Sequence, residues 1–225
     1  MTLNARDRRI LDQIARYRLT TNAVLRATLF PDAKPNAVVK VTARLVRDGH
    51  LQAFPFVGAR TYFVLTTSMA RRSGVGEDRA APLGPQALPT EAAVLEYCLA
   101  GSRKRHRLTT KELAEKLPWL PAALRVAPHA VDPAGQLELL RVDLGAPADH
   151  VARKCLADIT RRLAVPEGER LVRAGRLRLV VLTPSAEKAD AVRRALAAKE
   201  WPETLSVHLA VIPDLLHLEA RYHVS

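Results

Sequence analysis

Apolar residues recur three and four positions apart through much of the first half of the chain, and they alternate or run together through much of the second. In NARDRRILDQIARYR, residues 4–18, Ile10, Leu11 and Ile14 share one helical face and charges occupy the other, which predicts an amphipathic helix with Asn4 as its N-cap. Thr20 and Thr21 offer a cap before NAVLRATLF, where Val24, Leu25 and Leu29 keep helical spacing until Pro31 ends the run. Pro35 suits the first turn of a third helix running to about Asp48, and Gly49 suits its end. Val38, Val41, Thr42 and Leu45 form the apolar stripe of that helix, and Asn36, Lys40, Arg44 and Arg47 form a second stripe that faces outward. Leu51–Phe56 and Thr61–Leu65 flank a turn containing Gly58, as the strands of a β-hairpin do. Three helices and a hairpin predict a winged helix-turn-helix domain over residues 1–73.

Beyond a short helix at TSMARR, the stretch GVGEDRAAPLGPQALP is rich in Gly and Pro and lacks periodicity, which predicts a linker at residues 74–89. TEAAVLEYCLAG and TTKELAEKL read as two helices separated by SRKRHRL, a helical connector. Leu124–Val131 and Gln136–Leu144 then read as strands around the turn DPAG, Pro147–Leu163 as a helix and Leu177–Leu182 as an apolar strand. A helix from Ser185 to about Lys199, a strand over Leu205–Ile212 and a short DLLHL helix complete the pattern. This alternation predicts an α/β domain with at least partly parallel pairing, occupying residues 90–225 together with the connector. The chain contains no internal repeat or low-complexity tract.

Composition sharpens the picture. The 225 residues are 48% hydrophobic, enough for real cores, but only 4% aromatic, so binding of single strands by base stacking is poorly supplied. The formal net charge of +12 suggests a polyanionic partner. Residues 1–79 hold 14 Lys or Arg against 6 Asp or Glu, whereas residues 125–225 hold 15 against 13, so the excess belongs to the first third. Cys98 and Cys155 stand apart, without a CxxC or a Cys/His cluster at metal-ligand spacing, which fits reduced thiols and gives no support to a disulfide framework or zinc site. No leader-like or membrane-spanning apolar run is present, so a cytoplasmic protein without membrane partner, small-molecule ligand or cofactor is expected.

A recognition helix keeps one face in the core while the other enters the major groove. Lys40, Arg44 and Arg47 are placed to reach phosphates or guanine edges, Asn36 phosphate or adenine, and Arg60 at the wing tip the adjacent backbone or minor groove. None of the three helix cations belongs to the apolar stripe, so their removal is expected to leave the fold intact. Two other readings stay open: the charges solvate a surface helix, or the winged helix contacts protein. The basic run from Arg103 to Arg107 is either a solvated loop or a source of extra phosphate contacts. A homodimer would follow if the target were an inverted repeat with half-sites one helical turn apart.

RDRRILDQIARYRLTT, FPDAKPNAVVKVTARLVRDGHL and TYFVLTTSMARRSG together resemble the winged-helix region of the bacterial replication-relaxation family. PHAVDPAGQLELLRVDLGAPADHVARK and VVLTPSAEKADAVRRAL are similar to its following strands and helices, so the resemblance covers about three-quarters of the chain. It implies a sequence-specific duplex-DNA-binding protein that regulates transcription, replication or mobilisation of a plasmid or related mobile element. The order of helix, strand meander, helix and strand also resembles the PD-(D/E)xK nucleases, which implies a restriction-endonuclease-like second domain. Such enzymes hold a divalent metal with clustered carboxylates beside a Lys. Here His129 stands at the first Asp position and Arg141 where an acid would precede Val142 and Asp143, a fixed charge that would repel a metal and could pair with Asp143. Asp143 and Lys154 remain, with Asp132 and Asp149 nearby. The expectation is a degenerate domain without catalytic residues, serving assembly or partner contact; if it were active, Asp143, Lys154 and Asp132 would carry the chemistry. A metal-dependent endonuclease and a protein-binding adaptor are the alternatives.

Overall fold

A computed structural model of the chain describes residues 3–100 and 104–220, in a mixed α and β fold of two compact units, 1–100 and 101–225. Among the described residues no helix is long and apolar enough to cross a membrane.

In the first unit, helix α1 (Ala5–Tyr17) starts at a reciprocal cap: the Asn4 side chain accepts from the Asp7 N–H and the Asp7 carboxylate accepts from the Asn4 N–H. Strand β1 (Thr20–Thr21) leads into α2 (Asn22–Leu29), whose first turn donates the Val24 N–H to the Thr21 hydroxyl. Helix α3 (Pro35–Arg47) has proline in its first turn and ends before Gly49, which supplies a backbone at φ +73°. Strands β2 (Leu51–Pro55) and β3 (Thr61–Leu65) form an antiparallel hairpin, and β1 adds to β3 to give the order β1-β3-β2. The two-residue β1 is too short to leave a periodic signature. Ile10, Leu11 and Ile14 of α1, Leu25 of α2, Val38, Val41 and Leu45 of α3, and Leu51, Phe63 and Leu65 of the hairpin share one core. Each of these elements contributes to the core the apolar stripe its sequence repeats.

The expected boundaries change after residue 73. Helix α4 (Thr67–Arg72) is followed by a 3₁₀ turn at Glu77–Ala80, and Val75 and Ala80 pack on the first core. Ala80 accepts a hydrogen bond from Gln52 Nε2 at 2.9 Å, and the Leu83 N–H donates to the Tyr62 hydroxyl oxygen at 3.1 Å. The Gly/Pro stretch is thus fastened along the hairpin rather than left as a linker. Helix α5 (Ala87–Leu99), expected in the second domain, belongs to the first unit and packs against α1 and α2.

The second unit is a five-stranded sheet in the order β4-β5-β6-β7-β8. Strands β4 (His106–Arg107), β5 (His129–Val131) and β6 (Leu137–Val142) form an antiparallel meander, whereas β7 (Leu177–Thr183) and β8 (Ser206–Val211) add in parallel. Helix α6 (Thr110–Lys116) carries a capping box between Thr109 and Glu112. Helices α7 (Ala148–Leu163) and α8 (Pro166–Arg173) cross from β6 to β7, and α9 (Ala186–Ala197) crosses from β7 to β8. Leu139, Leu179 and Val181 pack with Ala152, Cys155 and Ile159 of α7 and Val192 and Leu196 of α9. Helix α10 (Asp214–Ala220) closes the described chain. Parallel pairing follows from the crossover helices, as the alternation predicted; α8 and β4 had no counterpart in the sequence reading. The hairpin, the crossover helices and the alternation leave both units mixed in α and β content.

Candidate nucleic-acid interface

Helix α3 divides its residues by face. Val38, Val41, Thr42 and Leu45 are buried, and the Thr42 hydroxyl donates to Asn22 Oδ1 at 3.0 Å, which ties α3 to the start of α2. Asn36, Val39, Lys40, Ala43 and Arg47 are exposed along the opposite face, at separations that repeat every one or two turns. Lys34, at the N-cap, is exposed as well and no side chain caps this end; Pro35 brings no N–H and the Ala37 N–H donates to the Lys34 carbonyl at 2.9 Å, so the positive end of the helix dipole lies at an exposed helix start. Arg47 reaches out with its side chain 74% exposed, only 3.6 Å from Asp48 at its guanidinium Nε.

Arg44 departs from the expected stripe. Its guanidinium lies 2.5 Å from Asp7 on α1, a carboxylate only 1% exposed, and 3.6 Å from Asp48. Asp7 uses its other oxygen in the α1 cap. A buried carboxylate needs a counter-charge, so Arg44 is an internal strut between α1 and α3, and its removal does not leave the fold untouched. Periodicity could not reveal this, because the partner is 37 residues away in sequence.

At the hairpin tip, the Phe56 N–H donates to the Arg60 carbonyl at 2.8 Å, and Gly58 turns the chain at φ +61°. Arg60 is exposed, but its side chain folds back over the tip: Nε donates to the Val57 carbonyl at 3.3 Å and the guanidinium carbon lies 5.1 Å from the centre of the Phe56 ring. Structure thus brings Asn36, Lys40 and Arg47 onto one exposed face and sets Arg60 on the hairpin tip. Val39 lies in the middle of that face; it belongs to neither stripe of the sequence reading, which assigns only polar residues to the outward face.

The residues expected for hydrolysis are dispersed. Asp132 caps the β5–β6 turn, accepting from the N–H groups of Ala134 and Gln136 at 2.9 Å each, and lies 3.8 Å from Arg178. Asp143 accepts from the N–H groups of Gly145 and Ala146 at 3.1 and 3.2 Å and faces Lys188 of α9 at 3.5 Å. Burial pushes its carboxyl above the ordinary value, against the pull of Lys188. These two aspartates sit beyond opposite ends of β6, about 20 Å apart at strand rise, so they cannot share an ion. Lys154 is exposed on α7, and Asp149 pairs with Lys199 at 3.0 Å and Arg153 at 3.1 Å.

Arg141 pairs with Asp158 of α7 at 3.0 Å, not with Asp143. His129 lies 1% exposed with Nδ1 donating to the Ala127 carbonyl at 2.7 Å and Nε2 facing Arg162 at 3.4 Å. Burial, reinforced by the Arg162 charge, pushes its imidazole down to about 3, so it is neutral at physiological pH. Burial likewise pushes the Cys155 thiol up to about 12, which makes it an inert packing group. Among the described residues, no three His, Cys, Asp or Glu side chains gather to hold a metal ion. In the basic run, Arg105 pairs with buried Glu138 at 2.9 Å and Arg107 is buried in β4, so neither is a solvated loop residue; Arg103 lies outside the described residues. No protein-family model, curated protein or solved structure matches the chain.

Proposed function

We propose that the chain is a sequence-specific duplex-DNA-binding protein whose first unit is a winged helix-turn-helix domain, with α3 as its recognition helix and the β2–β3 hairpin as its wing. One observation carries this reading: an exposed face bearing Asn36, Lys40 and Arg47 stands on a helix whose other face is fixed in the core by Val38, Val41 and Leu45. Rigid anchoring with exposed cations is what a helix needs to sit in a major groove, where amides and guanidinium groups meet phosphates and base edges. The basic excess of residues 1–79 adds a sequence-independent attraction to phosphate. Through its resemblance to the replication-relaxation family, the protein would regulate transcription, replication or mobilisation of a mobile element, in the cytoplasm.

The second unit supports a restriction-endonuclease-like reading by its order of α6, antiparallel meander, α7 and parallel β7. Its candidate acids serve turns and ion pairs, which favours a non-catalytic role in assembly. Strand β8 lies at the edge of the sheet with Ser206, Val207 and His208 exposed, a surface suited to a second copy of the chain.

The experiment is duplex binding followed by fluorescence anisotropy at several salt concentrations. The full chain is expected to bind with a steep salt dependence, and the Lys40→Ala, Arg47→Ala double variant to bind at least tenfold more weakly while melting at the same temperature, since each base-edge contact contributes about 1–3 kcal/mol. Unchanged binding by that folded variant would move the interface off α3. No duplex binding even at low salt would leave the protein-binding adaptor as the better account.

A further inference from the structure

The exposed face of α3 is not uniformly polar. Of the large hydrophobic residues exposed among the described residues, Val126, Val207, Val211 and Leu216 lie in the second unit, and Val39, 47% exposed, lies in the first. Val39 stands one helical turn from Asn36 and from Ala43, on the same face as Lys40, and Ala43 is exposed beside it. The face therefore presents a small apolar patch inside a ring of one amide and two cations.

We propose that Val39, with Ala43 at its edge, reads the C5-methyl group of thymine in the major groove. This rests on the DNA-binding reading given above and names a base contact within it. Thymine is the base whose major-groove edge carries a methyl group, beside an O4 acceptor, and that methyl is met by apolar side chains. An apolar protein socket is the less suitable occupant: it would cover Val39 only by bringing Lys40 and Arg47 against an apolar rim, and stripping water from cations without supplying partners is costly. A groove wall satisfies both, since phosphates flank the base edges. The valine side chain is also branched at Cβ and held to one main rotamer in a helix, so little side-chain freedom is lost when its methyls are fixed against a base. Asn36, one turn earlier, is placed to address the adjacent base pair.

The test uses the full chain and a duplex enriched by it from a randomised pool of 20-base-pair duplexes. Each thymine in the enriched site is replaced in turn by uracil, which removes the methyl and nothing else. At one or two positions uracil should weaken binding about fourfold, the value of one buried methyl group. Val39→Ala should bind the thymine site about fourfold more weakly, bind the uracil site as the unchanged protein does, and no longer distinguish the two. Val39→Thr, which keeps one methyl at the same branch, should retain part of the discrimination. 5-Methylcytosine carries the same group, so a further probe methylated at each cytosine should leave binding unchanged if thymine is the source. Equal binding of thymine and uracil probes at every position would overturn the proposal while leaving DNA binding intact, as would discrimination that survives in Val39→Ala or tighter binding that appears on methylated cytosine alone. Failure to enrich any duplex would overturn it together with the reading on which it rests. Each variant is checked by its circular dichroism melt, and an unaltered melt with an equal loss on both probes would also count against a methyl contact.

Discussion

At the scale of single residues, the exposed face and the core face of α3 differ in how far sequence could identify them. Val38, Val41, Thr42 and Leu45 were legible because burial follows helical period, and all four are buried. Asn36, Lys40 and Arg47 were legible for the same reason and are exposed. Arg44 was not, because its environment is set by Asp7 across the fold rather than by its neighbours on the helix. Arg44→Ala is therefore expected to destabilise the first unit by about 3 kcal/mol, since it leaves the Asp7 carboxylate buried without a counter-charge. The double change Asp7→Asn, Arg44→Met should recover most of that loss, because neither partner then buries a charge. Thermal melting of the single and double variants measures both, and a melt unchanged in Arg44→Ala would return Arg44 to the outward stripe. A loss of DNA binding in Arg44→Ala would accordingly report on folding as much as on contact.

At the scale of elements, the helices and the hairpin were legible and the segment after them was not. Residues 74–86 have no period, and a stretch without period carries no sequence signal of the contacts it makes. Contact is instead made by individual groups: Ala80 through its carbonyl and its methyl, Leu83 through its N–H and its buried side chain. Helix α5 falls in the first unit rather than the second for a related cause. Leu88, Ala92, Val94, Leu95 and Cys98 bury it on more than one side, so its sequence is apolar nearly all round and points to no particular neighbour. The consequence is measurable. A fragment of residues 1–73 lacks the groups that cover Tyr62 and Gln52, as well as α5, and should melt at least 10 °C below a fragment of residues 1–100. Burial of one leucine side chain alone stabilises by about 1.5–3 kcal/mol, and each kcal/mol moves the melting temperature of a domain this size by about 4–8 °C. Equal melting temperatures would restore the boundary near residue 73.

For the molecule as a whole, charge and topology were legible in outline, and the fate of the acidic residues in the second unit was not. Sequence spacing put Asp132, Asp143 and Lys154 within one stretch of 23 residues, where the order of a nuclease would gather them. Folding separates the two aspartates, because β6 runs between them and each then satisfies the backbone at its own end of the strand. Arg141 contributes differently from expectation: it pairs with Asp158, and Lys188 pairs with Asp143, so each of these two acids already has a cation. Hydrolysis of a phosphodiester by a metal requires carboxylates converging on one ion and a basic group beside the attacking water. The expected outcome is that the full chain, incubated with supercoiled and linear duplex in magnesium and then in manganese, leaves both intact over hours. Asp143→Asn is the informative control, since it removes the charge while keeping an oxygen that can accept from the Gly145 and Ala146 N–H groups. Metal-dependent cleavage by the unchanged protein that disappears in Asp143→Asn, with the melt preserved, would make Asp143 a ligand and the endonuclease the better account. Cleavage that persists in the variant would point to a contaminating nuclease and leave Asp143 with its structural role at the end of β6.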